Sequence, residues 1–583
     1  MILQALNGYY ERLAGEADSG VAPFGFSEQK IAFAVVLEND GSLSHFEDLR
    51  VVEGRRAVNR PMIVPGQAKS PGSGINPVFL WDNAAYLLGF KVQDAKPERT
   101  RKSFEAFRDK HLALRSEIAC PEFAAVCHFL EHWKPERAAE HPVLAEWTTG
   151  FGVFQIANQP RYVHQHPAVL EFWEESLARA EATAGESGSI ACLVTGRTGP
   201  IALTHEPAIK GVRDSQSGGA KLVSFNCDAF TSYGKDQSLN APVSEQAAFQ
   251  YATALNHLLR AGSRQRLIIG NTTTVFWSDK ASPAEDLFAY LLDPAQSASE
   301  GANTELDDRL HVLLSQIAHG GKPGELGDTN ARFYILGLAP NAARLAVRFW
   351  YVATLGELLD HIGDHFANLQ IPHGPKDAEF PAIWQLLRET ARETKDISPL
   401  LGGALARAVL TGSPYPQALP LAVINRIRAD HRISATRAAI LKAFLIRNHN
   451  QTIPMALDTE KPNPAYRLGR LFAALEKTQE DALPGINATI RERFYSSASA
   501  TPGAVFPRIL RTYQHHLAKL DGGRKVNRER LVQEILNPVT SFPRHLNLEG
   551  QSQFALGYYH QRQNFFTAKP KPDSDTTNPA AKS

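Results

Sequence analysis

The apolar positions along the chain change their periodicity once. Through the first ~370 residues, strand-length apolar runs interleave with segments at helical spacing. Residues 35–51 place apolar side chains on either side of Asn39-Asp40-Gly41, a turn signal that predicts a β-hairpin. A second hairpin is expected over 190–203, around Gly196 and Gly199. Residues 267–277 and 333–338 are β-branched or aromatic, the latter returning after Pro340-Asn341 through 345–352. Helical spacing predicts helices at 103–110, 121–133, 168–184 and 245–259, and an amphipathic helix opens the chain. A polar stretch at 297–303 flanks a short helix, and a Gly-rich loop follows at 320–327.

From about Asp377 strand signals cease. Helices are predicted at 383–394, 400–411, 420–430, 435–448, 465–481, 489–497, 503–519 and 528–537. Pro414, Pro416, Pro462, Pro464, Pro484 and Pro502 separate them. The expected fold is therefore α+β: a mixed α/β domain over 1–375, then an all-helical bundle over 376–566. Residues 567–583, rich in Lys, Pro, Asp and Ser, are expected to be a disordered tail.

At 583 residues, with 43% hydrophobic and 21% charged residues, the chain reads as an ordinary globular protein too long for one core. No apolar run approaches the ~20 residues of a transmembrane helix. The first helix carries Glu11, Arg12 and Glu16, unlike a signal peptide, and four cysteines make no disulfide framework. A cytoplasmic protein is expected. The net charge of +1 hides an asymmetry: residues 421–530 hold 19 Lys/Arg against 9 Asp/Glu. Phosphate attraction is screened over about 10 Å, so a local basic surface counts for more than the sum.

Catalytic and metal signatures are weak. His361 and His365 share a helical face, but Ile362 stands where the H-E-x-x-H motif needs glutamate. His164 with His166, and His515 with His516, lack partners. Cys120 and Cys127 lie seven apart, and Cys227 has no close cysteine or histidine in sequence. No nucleophile elbow or P-loop occurs, and acidic pairs such as Asp307-Asp308 read as solvated helix ends. Neither metal nor cofactor is expected.

Three surfaces suit nucleic acid better. The loop 66–76 mixes Lys69, Ser70, Ser73 and Asn76 with three glycines, ahead of the apolar anchor Phe79, Leu80, Trp81. Cations and backbone N–H groups hold phosphates, and such polar side chains can read base edges. The second surface, within 210–260, joins a Ser217-Gly218-Gly219 loop to Lys210, Arg213, Lys221, Asn226, Tyr233, Lys235, Gln237 and Asn240. The third is a strand on which Arg344 and Arg348 share a face. In the bundle, Arg432 belongs to the basic set, and Arg467 and Arg470 lie off the apolar stripe Leu468, Leu471, Phe472, Leu475. That spacing predicts an outward basic track suited to a nucleic-acid backbone.

The stretch KGVRDSQSGGAKLVSFNCDAFTSYGKDQSLNAPVSEQAAFQYATALNHLLR (210–260) resembles the large subunit of the type I-C CRISPR Cascade complex, an RNA-guided surveillance assembly of antiviral defence. The resemblance runs nearly end to end. It passes through MILQALNGYYERLA at the start, PVFLWDNAAYLLG (77–89), TTTVFWS (272–278) and LGLAPNAARLAVRFW (336–350). It continues through AYRLGRLFAALEKTQEDA (465–482), SASATPGAVFPRILRTYQHHLAKL (497–520) and FALGYYHQR (554–562). It implies a non-catalytic DNA-binding subunit that recognises the protospacer-adjacent motif and promotes R-loop formation, while guide RNA pairing supplies sequence specificity. The implied partners are the crRNA-containing backbone subunits, target duplex DNA with its displaced non-target strand, and a helicase-nuclease. A small subunit made from an internal start in the same gene is also implied, and Met455 is the methionine placed for it, giving a chain over 455–583. The alternative is a nuclease or RNA-processing enzyme of the same system.

Overall fold

The computed structural model describes residues 1–16, 19–54, 56–67, 74–147, 149–185, 190–225, 227–294 and 304–566. The α+β class is as expected. Two compact units emerge, Met1–Ala261 with Pro340–Ala346, and Gly262–Ala339 with Val347–Ser583. The division falls at 261/262 rather than at the change of periodicity near 375. One face of the second sheet packs with the helices: its Leu267, Phe276, Phe333 and Ile335 are buried in the same cluster as the helices that follow.

The first unit opens with α1 (Ile2–Ala14). Its main sheet contains β1 (Phe26–Leu37) and β2 (Leu43–Asp48), joined by the expected Asp40-Gly41 turn with Gly41 at φ +86°. A small ribbon, β3 (Val51–Glu53) and β4 (Arg56–Val58), precedes β5 (Arg60–Pro65), β6 (Trp81–Asp82) and β7 (Phe151–Ile156). Strand β1 pairs antiparallel with β2 and β5 and parallel with β7, and β7 pairs antiparallel with β6. Residues 31–37 of β1 are all buried because both sheet faces are covered. Phe33, Val35 and Leu37 face one cluster; Ile31, Ala34 and Val36 face the other. A register shift between Ile31 and Phe33 puts Ala32 beside Phe33 in the first cluster.

That first cluster is closed by α2 (Ala84–Leu87), α3 (Pro97–Ala113), α4 (Pro121–His132) and α5 (Pro167–Gly185). Helix α6 (Glu245–Leu259) packs on α1, with Tyr10 and Phe249 edge-to-face at 6.0 Å. The hairpin expected over 190–203 shrinks to one bridge, Ala191 to Thr198.

The second unit holds the antiparallel sheet β8 (Arg266–Ile269), β9 (Thr272–Ser278), β10 (Arg332–Asn341) and β11 (Arg344–Thr354), in the order β11-β10-β9-β8. Around it run α7 (Ala284–Leu292), α8 (Thr304–Ala318), α9 (Leu355–Leu369), α10 (Ile383–Arg388), α11 (Pro399–Thr411), α12 (Ala418–Asp430) and α13 (Ala435–His449). The last five helices are α14 (Pro464–Ala482), α15 (Ile490–Ala500), α16 (Pro502–Leu517), α17 (Gly522–Leu536) and α18 (Leu548–Phe566). Helix α14 is the hub, buried on every side from Ala465 to Glu476. It crosses α18 so closely that a Cβ on Gly469 would collide with the Phe554 carbonyl, and one on Gly557 with the Tyr466 carbonyl.

Several histidines are core groups. Burial pushes His111 and His365 down to about 3, and His164 and His560 to about 4. They stay neutral in the fold but protonate near 6.5 when unfolded, so their contribution is complete above that pH and is lost as pH falls toward 4. Each should remove about 2 kcal/mol of stability by pH 5. A urea midpoint that drops steeply between pH 7.5 and 5 is the expected result; a flat one would contradict it.

Candidate nucleic-acid interface

Both ends of the 66–76 loop are fixed in the first unit. Gly66, at φ +95°, donates its N–H to the Gly25 carbonyl at 2.7 Å and accepts from the Ser27 hydroxyl at 2.7 Å. Trp81 Nε1 donates to the Pro65 carbonyl at 2.6 Å. At the far end the expected anchor is present, with Phe79, Leu80 and Trp81 buried. The Asn76 N–H donates to the Tyr86 hydroxyl at 3.2 Å, while the residue itself is exposed. Arg99 and Lys110 of α3 donate to the carbonyls of Gly74 (3.2 Å) and Pro77 (2.9 Å), bringing cations to the loop's rim. Arg99 was not singled out in the sequence, because nothing local ties it to a loop 25 residues away. Lys69, Ser70 and Ser73 lie outside the described residues.

The 210–260 segment and the tip of the β10–β11 hairpin form one subassembly of the first unit. Lys221 donates its N–H to the Ala343 carbonyl (3.0 Å) and accepts at its carbonyl from Leu345 (2.9 Å). Its ammonium lies 2.6 Å from Glu206 and 2.7 Å from the His205 carbonyl, contacts that tie it to the protein itself. Arg344 stacks over Phe230 at 4.4 Å. The glycines also serve the protein itself. A Cβ on Gly219 would meet Ala208 at 2.8 Å, and one on Gly211 the Leu259 carbonyl at 2.5 Å, whereas Gly218 of the Ser217–Gly219 loop has open space. The Gly219 N–H is itself used within the loop, donating to the Gln216 carbonyl at 3.0 Å.

What stays outward is a smaller set. Tyr233 and Gly234, at φ 54° and 66°, make a tight turn closed by Lys235 N–H to Ser232 at 3.0 Å. Tyr233 is completely exposed, with Lys235 and Gln237 beside it in the turn. Asn240 holds that turn through its side chain, donating to the Lys235 and Gln237 carbonyls and accepting from Ser232. Lys210 is exposed, its N–H held by Asn256, and Arg213 is exposed beside Asp214. Asn226 lies outside the described residues.

In the second unit Arg348 and Arg432 are exposed. The expected outward track of Arg467 and Arg470 is corrected. Arg470 is 0% exposed and donates to Gln561, the Thr459 carbonyl and Glu534 at 3.0–3.1 Å; Arg467 is 4% exposed beside it. A helix surrounded by other helices has no outer face on which to carry them. Much of the basic excess turns inward in the same way. Arg437 pairs with Glu389 and Asp430, Arg528 and Lys477 with Asp481, and Arg491 with Glu476 and Glu492.

An outward cationic stripe does exist, on α16. Phe506, Ile509, Tyr513 and Leu517 are its buried face. Arg508, Arg511 and His515 are exposed at the same 3–4 spacing on the other face, and Lys519 continues the line just past the helix. No Asp or Glu occurs in α16, and among the described residues neither arginine makes an ion pair; Arg508 rests over Phe494 at 5.4 Å. The sequence carries this signal as basic positions opposite an apolar stripe with no acid between them. The paired histidines have other uses: His361 bonds the Leu410 carbonyl (2.8 Å) and His365 the Tyr415 hydroxyl (2.7 Å).

Together these features define an α+β protein with an anchored polar loop in one unit and an acid-free basic helix face in the other. The family comparison agrees with the sequence reading at its broader level. The chain belongs to the CRISPR-associated protein family Cas_Csd1, whose model matches residues 6–566. No curated protein matches the chain. No described helix is long and apolar enough to cross a membrane.

Proposed function

We propose that this chain is the non-catalytic large subunit of a type I-C Cascade complex, reading the protospacer-adjacent motif and holding DNA strands as the R-loop opens. The observation that carries this reading is the acid-free exposed stripe of α16 in a chain matched over residues 6–566 by a CRISPR-associated family. A displaced strand needs a basic track that follows its backbone and little else. The 66–76 loop, held at both ends, supplies the polar reader. Guide pairing supplies target specificity, and the chain supplies motif reading and a platform for the helicase-nuclease.

Replacing Lys69 and Asn76 with alanine should weaken binding to motif-bearing duplex about 5- to 150-fold, the worth of one good bidentate base contact, and leave binding to pre-opened bubble DNA near the parent value. Equal losses on both substrates would reduce the loop to a general phosphate contact.

The small subunit is proposed to arise from an internal start at Met455. That residue lies 53% exposed in the segment between α13 and α14. The partners of Arg470 (Thr459, Glu534, Gln561) and of buried Glu476 (Tyr558, Thr489, Arg491, Arg562) all fall between Thr459 and Arg562. A chain starting at Met455 would therefore keep both polar networks whole, and would carry the α16 stripe in further copies. Mass spectrometry of the purified complex should find a C-terminal fragment beginning at or near residue 455. A complex with full-length chain and no such fragment would refute the internal start.

The test of the function as a whole is reconstitution. Complexes assembled with this chain should bind target duplex in a motif-dependent way, and complexes lacking it should not. Cleavage of DNA or RNA by the purified chain with magnesium would instead favour an enzyme.

A further inference from the structure

Three side chains far apart in sequence converge where α4 and α5 begin. Cys120 is the N-cap of α4, Glu122 lies in its first turn, and His166 directly precedes α5, accepting at its carbonyl from Val169 and Leu170. Cys120 Sγ lies 3.1 Å from Glu122 Oε2, and His166 Nδ1 lies 3.6 Å from the same oxygen. All three ligand atoms fall within 4.8 Å of one another. Cys120 is buried, while the Glu122 and His166 side chains keep 18% exposure each, enough for an entry path.

Gln159 sets the protons. Its Nε2 donates to Glu122 Oε1 at 3.3 Å, so its carbonyl oxygen faces His166 Nε2 at 3.1 Å. A carboxylate only accepts, which fixes the amide; the amide oxygen only accepts, which places a hydrogen on Nε2. In the neutral ring Nδ1 then carries the lone pair, 3.6 Å from the carboxylate oxygen that accepts from the thiol. Two acceptors and a sulfur share one small volume, oriented by an outer amide, as ligands of a metal are. Around tetrahedral zinc, bonds of about 2.0–2.3 Å place neighbouring ligand atoms roughly 3.3–3.6 Å apart, close to the two separations from Glu122 Oε2, and the thiol and imidazole lie within 4.8 Å of each other. The α4 N-terminus favours the Glu122 carboxylate, while burial and the neighbouring Glu122 push the Cys120 thiol up, so the ion must displace its proton on binding.

We propose that Cys120, Glu122 and His166 form a binding site for a zinc-class divalent cation that ties the start of α4 to the start of α5, with a fourth position left to water. Binding forms bonds from Sγ, Oε2 and Nδ1 to the ion and releases the Cys120 thiol proton to solvent. No redox step is involved.

The test uses the full chain carrying Cys227→Ser, because Cys227 is the exposed cysteine. Titration with cobalt(II) should give near-ultraviolet thiolate-to-cobalt absorption that saturates at about one equivalent and is displaced by zinc. Gln159→Leu should weaken the cobalt affinity by about 10- to 100-fold through the lost outer contact. Cys120→Ser should abolish the absorption, and Glu122→Gln should weaken binding at least as much as Gln159→Leu. No saturable absorption in the parent, or the same absorption in Cys120→Ser, would overturn the site. Should Cys120→Ser not fold, unchanged affinity in Glu122→Gln would overturn it equally.

Discussion

Glutamate at both Arg508 and Arg511 will weaken the hold of the assembled complex on the displaced DNA strand and make that hold less sensitive to salt. Each phosphate contact to a single strand contributes about 0.7 to the slope of log affinity against log salt. Losing two should make the slope shallower by about 1.4, so the advantage of the parent over the variant should shrink about sevenfold between 50 and 200 mM salt. The variant should fold normally, because both side chains are exposed and neither makes an ion pair among the described residues. Arg470→Met is the contrast. Its guanidinium is buried with three partners, so its removal should cost about 1–3 kcal/mol of stability through the hydrogen bonds left unmade, while the folded fraction keeps the parent's salt slope. An unchanged slope in the Arg508/Arg511 variant would place the stripe against protein or solvent.

Alanine at Gly469 will destabilise the helical unit by about 3 kcal/mol or more, the upper end of overpacking, because no rotamer can relieve a clash with backbone. The new methyl would collide with the Phe554 carbonyl, and α14 and α18 would have to part along a buried seam. Gly557→Ala should act the same way through Tyr466. Ordinarily the same change in a helix stabilises by about 0.5–1 kcal/mol. Gly403 of α11, whose added methyl would meet only the Thr272 hydroxyl at 3.8 Å, should show that gain. Urea midpoints followed by circular dichroism separate the cases. A Gly469→Ala midpoint at or above the parent's would mean that the helices cross more loosely.

Much of this was legible where a local rule sufficed. Asp40-Gly41 between apolar runs marked the β1–β2 hairpin, and apolar spacing marked α4, α6, α13 and α14 nearly to their ends. Helix α18 escaped because its pattern has no apolar period. It buries Ser552, Gln553, His560 and Gln561 along with Phe554 and Leu556, so polar positions mark inside as well as outside. The same blindness misplaced Arg467 and Arg470. An arginine off the apolar stripe points to water in an amphipathic helix but not in a fully surrounded one, and its partners Gln561 and Glu534 lie 91 and 64 residues away. The pairing of Lys221 with Glu206 was not legible because the two lie 15 residues apart. Cys120 and His166 looked solitary because only the fold brings α4 and α5 together at their starts.

The most direct test of the central claim is selection from a library of target duplexes with randomised bases beside the target. Bound DNA would be sequenced for the complex carrying the parent chain and for one carrying Lys69→Ala with Asn76→Ala. The account predicts a sharp base preference at the flank with the parent chain, flattened in the variant while bubble binding persists. The same preference in both complexes would contradict it, placing motif reading elsewhere in the assembly.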